Sequence, residues 1–226
     1  MRVAVVGSGG IGGYYGGKLA EAGEDVTLIA RGAHLEAIRR NGLQVNSAAG
    51  DFHVRPKATD DPATVGHVDL VLFCVKGYDT DTAALRIRPM IASQTVVLCL
   101  QNGVDNEEKL ARILGKPHVL GGVVHILSTI SAPGIISQVA GPRTLKCGEM
   151  EGGLSSRATH IADVFVHAGV RAEASASILV DLWEKFLFIC AQGGVTALGR
   201  LGIGEILGCP ETAKFYRAVM EEIAAV

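Results

Sequence analysis

The run Gly7-Ser8-Gly9-Gly10-Ile11-Gly12 is a G-x-G-x-x-G. It directly follows the β-branched stretch Val3–Val6 and opens a segment with helical spacing. A dinucleotide pyrophosphate needs this order of strand, glycines and helix. The first glycine permits the tight turn, the second lets backbone approach the phosphates, and the third lets helix and strand pack closely. The helix start adds free N–H groups and the positive end of its dipole. In that setting the motif says far more than the glycines alone. About 20 residues on, a carboxylate would bond a ribose 2′-hydroxyl. Here the second strand ends Ile29-Ala30-Arg31 instead. A guanidinium can take a 2′-phosphate through charge-assisted bonds worth about 1.5–3 kcal/mol. The sequence therefore predicts NADP(H), with Gly7, Ser8, Gly9, Gly10, Ile11 and Gly12 on the pyrophosphate and Arg31 on the 2′-phosphate.

Three further features follow apolar, strand-like runs, where open α/β sheets bind ligands. Lys76 follows DLVLFCV, Gln101-Asn102-Gly103 follows TVVLCL, and His125 follows the run ending at Val124. Lys185 lies in Ile178–Ala191, a helical pattern apolar nearly all round. A lysine there is costly to bury unless paired or used. One reading is an i,i+4 pair with Asp181. The other is a general acid that protonates a carbonyl oxygen as hydride reaches the carbon, and that attracts an anionic substrate. No metal site is expected.

These residues need a scaffold, and the pattern supplies one. Strands are predicted over 3–6, 25–30, 69–75, 95–100 and 118–124, with helices over 11–22, 80–91 and 105–114. Strands alternating with helices mean a parallel sheet with right-handed crossovers. Beyond it, 127–131, 135–139 and 144–147 read as short segments separated by Pro-Gly and Gly-Pro, a predicted antiparallel extension. A helix over 155–168 and a strand near 170–174 follow, and from Ser177 the pattern is helical. The expected division is a dinucleotide-binding domain over 1–174 and the start of a helical substrate or dimerisation domain over 175–226.

Composition narrows the class. Of 226 residues, 48% are hydrophobic and 19% charged, which excludes disorder. A net charge of −2 lacks the basic stripe of a nucleic-acid binder. The 29 glycines, against a usual ~7%, crowd the N-terminal loop rather than forming a collagen period. Five cysteines without a C-x-x-C pair read as thiols in a reducing compartment. No signal-peptide pattern opens the chain and no run reaches about 18 apolar residues. The expected address is the cytoplasm, with no nucleic acid and no membrane as partner. A homodimer stays open.

The set GSGGIGG, VKGYDT, LQNGVDNEEKL and LWEKFLF, in this order and across nearly the whole chain, resembles the ketopantoate reductase (2-dehydropantoate 2-reductase) family. The resemblance implies a Rossmann-type domain followed by an all-helical domain, with the active site in the cleft between them. It implies NADPH-dependent reduction of 2-dehydropantoate to pantoate, a step toward pantothenate and coenzyme A. Lys76 and Asn102 would lie near nicotinamide and substrate, Lys185 would be the catalytic lysine and a substrate contact, and the expected partner is a small-molecule 2-keto acid. Gln101, by its place at the strand end beside Asn102, is also expected to bind the cofactor. Where family members place asparagines after that lysine, this chain has Ile189, Gly193 and Ile203. Those departures point to a family member acting on a more apolar keto acid. The chain also ends within a helical pattern, so the resemblance implies further helices beyond it. A third reading is an NADP(H)-binding protein without turnover.

Overall fold

The computed structural model describes all 226 residues. The chain divides into two compact units, Met1–Leu179 and Val180–Val226. The first contains β1 (Arg2–Val6), α1 (Gly10–Glu21), β2 (Asp25–Ile29), α2 (Gly32–Asn41), β3 (Leu43–Ser47), β4 (Phe52–Val54) and β5 (Lys57–Thr59). It continues through β6 (Val68–Phe73), α3 (Thr80–Ile87), β7 (Ile91–Cys99), α4 (Asn106–Leu114), β8 (Val119–Ala132), β9 (Ile135–Gly148), α5 (Ser156–His167) and β10 (Arg171–Ala174). Helices α6 (Ile178–Gly199), α7 (Ile203–Gly208) and α8 (Pro210–Ala224) complete the chain.

All ten strands form one sheet in the order β4-β3-β9-β8-β7-β6-β1-β2-β5, with β10 also on β9. The block β5-β2-β1-β6-β7-β8 is wholly parallel. Its strands are apolar on both faces because helices cover both. Val3, Val5, Leu70, Leu72 and Leu98 enter one layer with Tyr14, Tyr15, Leu19 and Phe165. The alternate residues Ala4, Val6, Val71, Phe73 and Val97 enter the other with Ala84, Ile87 and Leu110. The sheet order reverses direction of growth between β1 and β6, so the carboxyl ends of those strands form the crevice where such sheets take ligands. The fold is thus α/β, with a mostly parallel sheet, an antiparallel extension and a helical C-terminal region.

The extension differs from its expected form. The segments over 118–124 and 127–131 are one strand, β8, and those over 135–139 and 144–147 are one strand, β9. Pro133-Gly134 makes the hairpin turn. Gly141-Pro142 does not: Gly141 and Arg143 take positive φ angles of 87° and 58° inside β9, opposite a register shift between His125 and Leu127. The two extra residues are absorbed as a bulge rather than a break. The two halves of β9 thereby reach different neighbours, β3 along Ile135–Gln138 and β10 along Thr144–Cys147. His125 does not close a strand; it lies exposed in the middle of β8. Helix α3 stops at Ile87 because Pro89 has no N–H to continue it, and a 3₁₀ turn over Arg88–Met90 follows.

The second unit packs a small core of Ala191, Val195, Ile206 and Tyr216, with Ile203, Val219 and Met220 against it. Gly193 and Gly194 leave α6 unbroken. No helix is long and apolar enough to cross a membrane. Phe165 is fully buried and stacks edge-on against Tyr15, 6.0 Å between ring centres. Phe165→Ala is expected to cost about 3–5 kcal/mol in urea unfolding followed by circular dichroism.

Candidate active site

The loop between β1 and α1 is fixed from three sides. Gly7 has φ 93°, and a Cβ there would meet the Val75 nitrogen at 2.8 Å. The N–H groups of Gly7 and Ser8 both donate to the Ile29 carbonyl, at 3.3 and 3.2 Å, and the Ser8 hydroxyl joins them at 3.1 Å. A Cβ on Gly10 would lie 2.1 Å from the Ser128 carbonyl oxygen, and one on Gly12 2.4 Å from that of Gly7. Helix α1 is therefore pressed against β8 and against its own loop at spacings only glycine permits. Gly9 is the opposite case, because a Cβ there would meet nothing within 4 Å. The first intrahelical bond of α1 runs from the Gly13 N–H to the Gly9 carbonyl, at 2.7 Å. The N–H groups of Gly10, Ile11 and Gly12 thus have no intrahelical acceptor. A cluster of donors at a helix start, beside open space at Gly9, fits a pyrophosphate. Ser8 is buried, and its N–H and hydroxyl both serve the loop.

Beside this loop a small cleft is lined by Gly7, Ile29, Arg31, Asp60, Val75, Asp79 and Arg86, among others. Arg31 begins α2 and is largely exposed. Its Nη2 lies 3.3 Å from an Asp79 carboxylate oxygen. Lys76 is exposed at the start of the 3₁₀ turn Gly77–Asp79, and its carbonyl accepts the Asp79 N–H at 2.8 Å. Asn102 is exposed past the end of β7. Beneath Lys76 and Asn102 runs a buried network that spacing alone did not reveal. Gln101 Nε2 donates to the Val75 carbonyl and to Thr80 Oγ1, both at 2.9 Å. Thr80 Oγ1 donates to Asn106 Oδ1 at 3.4 Å, and Asn106 Nδ2 donates to the Asn102 carbonyl at 2.9 Å. Both amide hydrogens of Gln101 are thus committed to holding two loops in register. Asn106, four residues after Asn102 at a helix start, is the one network member whose spacing could have signalled it.

Lys185 belongs to the second unit. It is 8% exposed, the most buried lysine of the chain, in the middle of α6. Ile189 and Ile203 are half-buried in the same unit, and Gly193 is exposed. None of the three carries a hydrogen-bonding side chain.

The comparisons with known proteins bear on this arrangement. A model described as ketopantoate reductase PanE/ApbA matches residues 3–152, and its C-terminal counterpart matches residues 177–226. The chain belongs to the ketopantoate reductase family. A 2-dehydropantoate 2-reductase of Archaeoglobus fulgidus is 36% identical over 222 residues, covering 98% of this chain and 72% of that protein. An uncharacterized oxidoreductase, YkpB, of Bacillus subtilis is 32% identical over 228 residues, covering 100% of this chain and 74% of that protein. A crystal structure described as a putative ketopantoate reductase from Ralstonia solanacearum superposes with a TM-score of 0.92 at 34% identity, covering 99% of this chain and 75% of that one.

Within this ketopantoate reductase fold, His34 ties the glycine loop to the β8–β9 hairpin. Its Nε2 lies 2.9 Å from the Ser8 carbonyl, and the Gly134 N–H donates to its Nδ1 at 3.0 Å. Only the neutral ring with hydrogen on Nε2 satisfies both bonds, because a protonated Nδ1 faces a donor. Burial also pushes the His34 pKa below its ordinary value of 6.5, against the smaller opposing effect of the Ser8 carbonyl. A group with a depressed cationic pKa binds fewer protons folded than unfolded. The stability that His34 contributes is therefore full above pH 6.5 and is lost as pH falls below it. The expected result is a lower urea midpoint at pH 5.5 than at pH 7.5, with the difference reduced in His34→Gln.

Proposed function

We propose that this chain carries out the NADPH-dependent reduction of 2-dehydropantoate to pantoate, a cytoplasmic step toward pantothenate and coenzyme A. The reading rests above all on the glycine loop: unshared N–H groups of a helix start stand beside the open space at Gly9. Family membership and the buried Lys185 support it further. Gly9, Gly10, Ile11 and Gly12 would receive the pyrophosphate, and Arg31 the 2′-phosphate. When bound, reduced nicotinamide supplies hydride to the keto carbon.

The chain's own residues do the rest. The Lys185 ammonium attracts the substrate carboxylate and gives a proton to the carbonyl oxygen as negative charge develops there. Its apolar helix lowers the local dielectric and strengthens both effects. Asn102 orients substrate or ribose with its side-chain amide, and Lys76 adds positive charge beside the same loop. The buried bonds of Gln101, Thr80 and Asn106 hold those two loops at one height, so neither has to be ordered at the moment of reaction.

A second reading is favoured by one observation. Ile189, Gly193 and Ile203 stand where amide side chains are expected from the family pattern. A site without those amides loses the polar contacts that reject less polar analogues. A more apolar 2-keto acid is then the better substrate. NADPH oxidation with 2-dehydropantoate against a panel of 2-keto acids separates the two readings. In either case Lys185→Met is expected to lower kcat by about 10²- to 10⁴-fold while leaving the Kd for NADPH unchanged. Turnover near that of the wild type would remove Lys185 from the reaction.

A further inference from the structure

We infer that Asp79 opposes Arg31 in the choice between the two nicotinamide dinucleotides, so that the chain accepts NADH as well as NADPH. The inference rests on the proposed binding of a dinucleotide at the glycine loop. Strand β2 ends without the acid that would hold a ribose 2′-hydroxyl, because Ala30 stands at its end. The missing carboxylate is supplied from another element. Asp79 leaves the turn after β6 and enters the cleft that Arg31 enters from the start of α2. The two side chains, both lining that cleft, meet at 3.3 Å.

The other charged groups of that cleft do not take over this role. Asp60 Oδ1 lies 3.6 Å from Arg39 Nη2. Arg86 Nη2 donates to the Asp60 backbone carbonyl at 2.8 Å. Arg31 and Asp79 therefore form the pair that faces an incoming ribose. A 2′-phosphate arriving there gains the guanidinium but meets a carboxylate within the range where like charges repel. A 2′-hydroxyl has the converse fit. It can donate to Asp79, which is the function a carboxylate serves in NAD-binding sites. One pair thus offers a partner to each ribose and gives neither a full preference. Asp79 makes no side-chain capping bond to α3, so its carboxylate is not needed to start that helix.

The test is calorimetric titration of the full chain with NADPH and with NADH, for wild type, Asp79→Asn, Asp79→Ser and Arg31→Ala. Thermal melts show whether each variant is folded. Asp79→Asn and Asp79→Ser are each expected to tighten NADPH and weaken NADH, so that the ratio of the two dissociation constants moves toward NADPH by about tenfold. Arg31→Ala is expected to weaken NADPH selectively. If the ratio stays within about twofold of wild type in both folded Asp79 variants while Arg31→Ala still weakens NADPH, the role of Asp79 is overturned and that of Arg31 stands. If wild type binds neither dinucleotide, this inference and the proposed function both fall.

Discussion

The close approach of α1 to the sheet is the constraint on which the other features depend. Gly10 sits against the Ser128 carbonyl of β8, and Gly12 against the Gly7 carbonyl, at spacings with no room for a Cβ. That contact fixes where the helix begins. It points unshared N–H groups and the positive dipole end at the carboxyl edge of β1, the strand beside which the sheet reverses its order. An anion bound there is held by backbone, whose position is set by the sheet rather than by a mobile side chain.

Several interactions exist to keep that edge in place. The Ile29 carbonyl collects three donors from Gly7 and Ser8, which ties the loop to the end of β2. His34 ties the same loop to the β8–β9 hairpin. Gln101, Thr80 and Asn106 join the turn after β6 to the turn after β7 with uncharged hydrogen bonds. A buried network of this kind is useful only when fully satisfied, and this one joins loops that carry exposed Lys76 and Asn102. The charged groups, Arg31 and Asp79, stand at the rim, where water screens them and a ligand can exchange partners with them. Lys185, in the helical unit, is buried where a lysine is rarely found.

The parallel strands were legible because burial on both faces writes them as unbroken apolar runs such as DLVLFCV. The glycine motif was legible because its spacing is set by backbone contact. The short strands toward the two edges of the sheet were not. Strands β3 (LQVNS), β4 (FHV) and β5 (KAT) are short and mixed in character, too weak for a period to emerge. The β8–β9 hairpin read as several fragments because Gly141-Pro142 resembles a turn in sequence but serves as a bulge in the fold. Around the site, motif and position suggested ligand contacts for Ser8 and Gln101, but gave no sign that their donors would bond Ile29, Val75 and Thr80. Asp79 was visible in VKGYDT, but nothing in the spacing announced that it would meet Arg31, 48 residues away.

A methyl group added at residue 9 probes the central idea most directly. The Gly9 backbone, at φ −77° and ψ −158°, is open to any residue, and a Cβ there meets no protein atom within 4 Å. The fold should not notice Gly9→Ala, whereas a pyrophosphate approaching the helix start would collide with it. Calorimetric titration with NADPH is expected to show at least a tenfold weaker Kd in a variant whose melting temperature is unchanged. A Kd within about twofold of wild type would contradict the account.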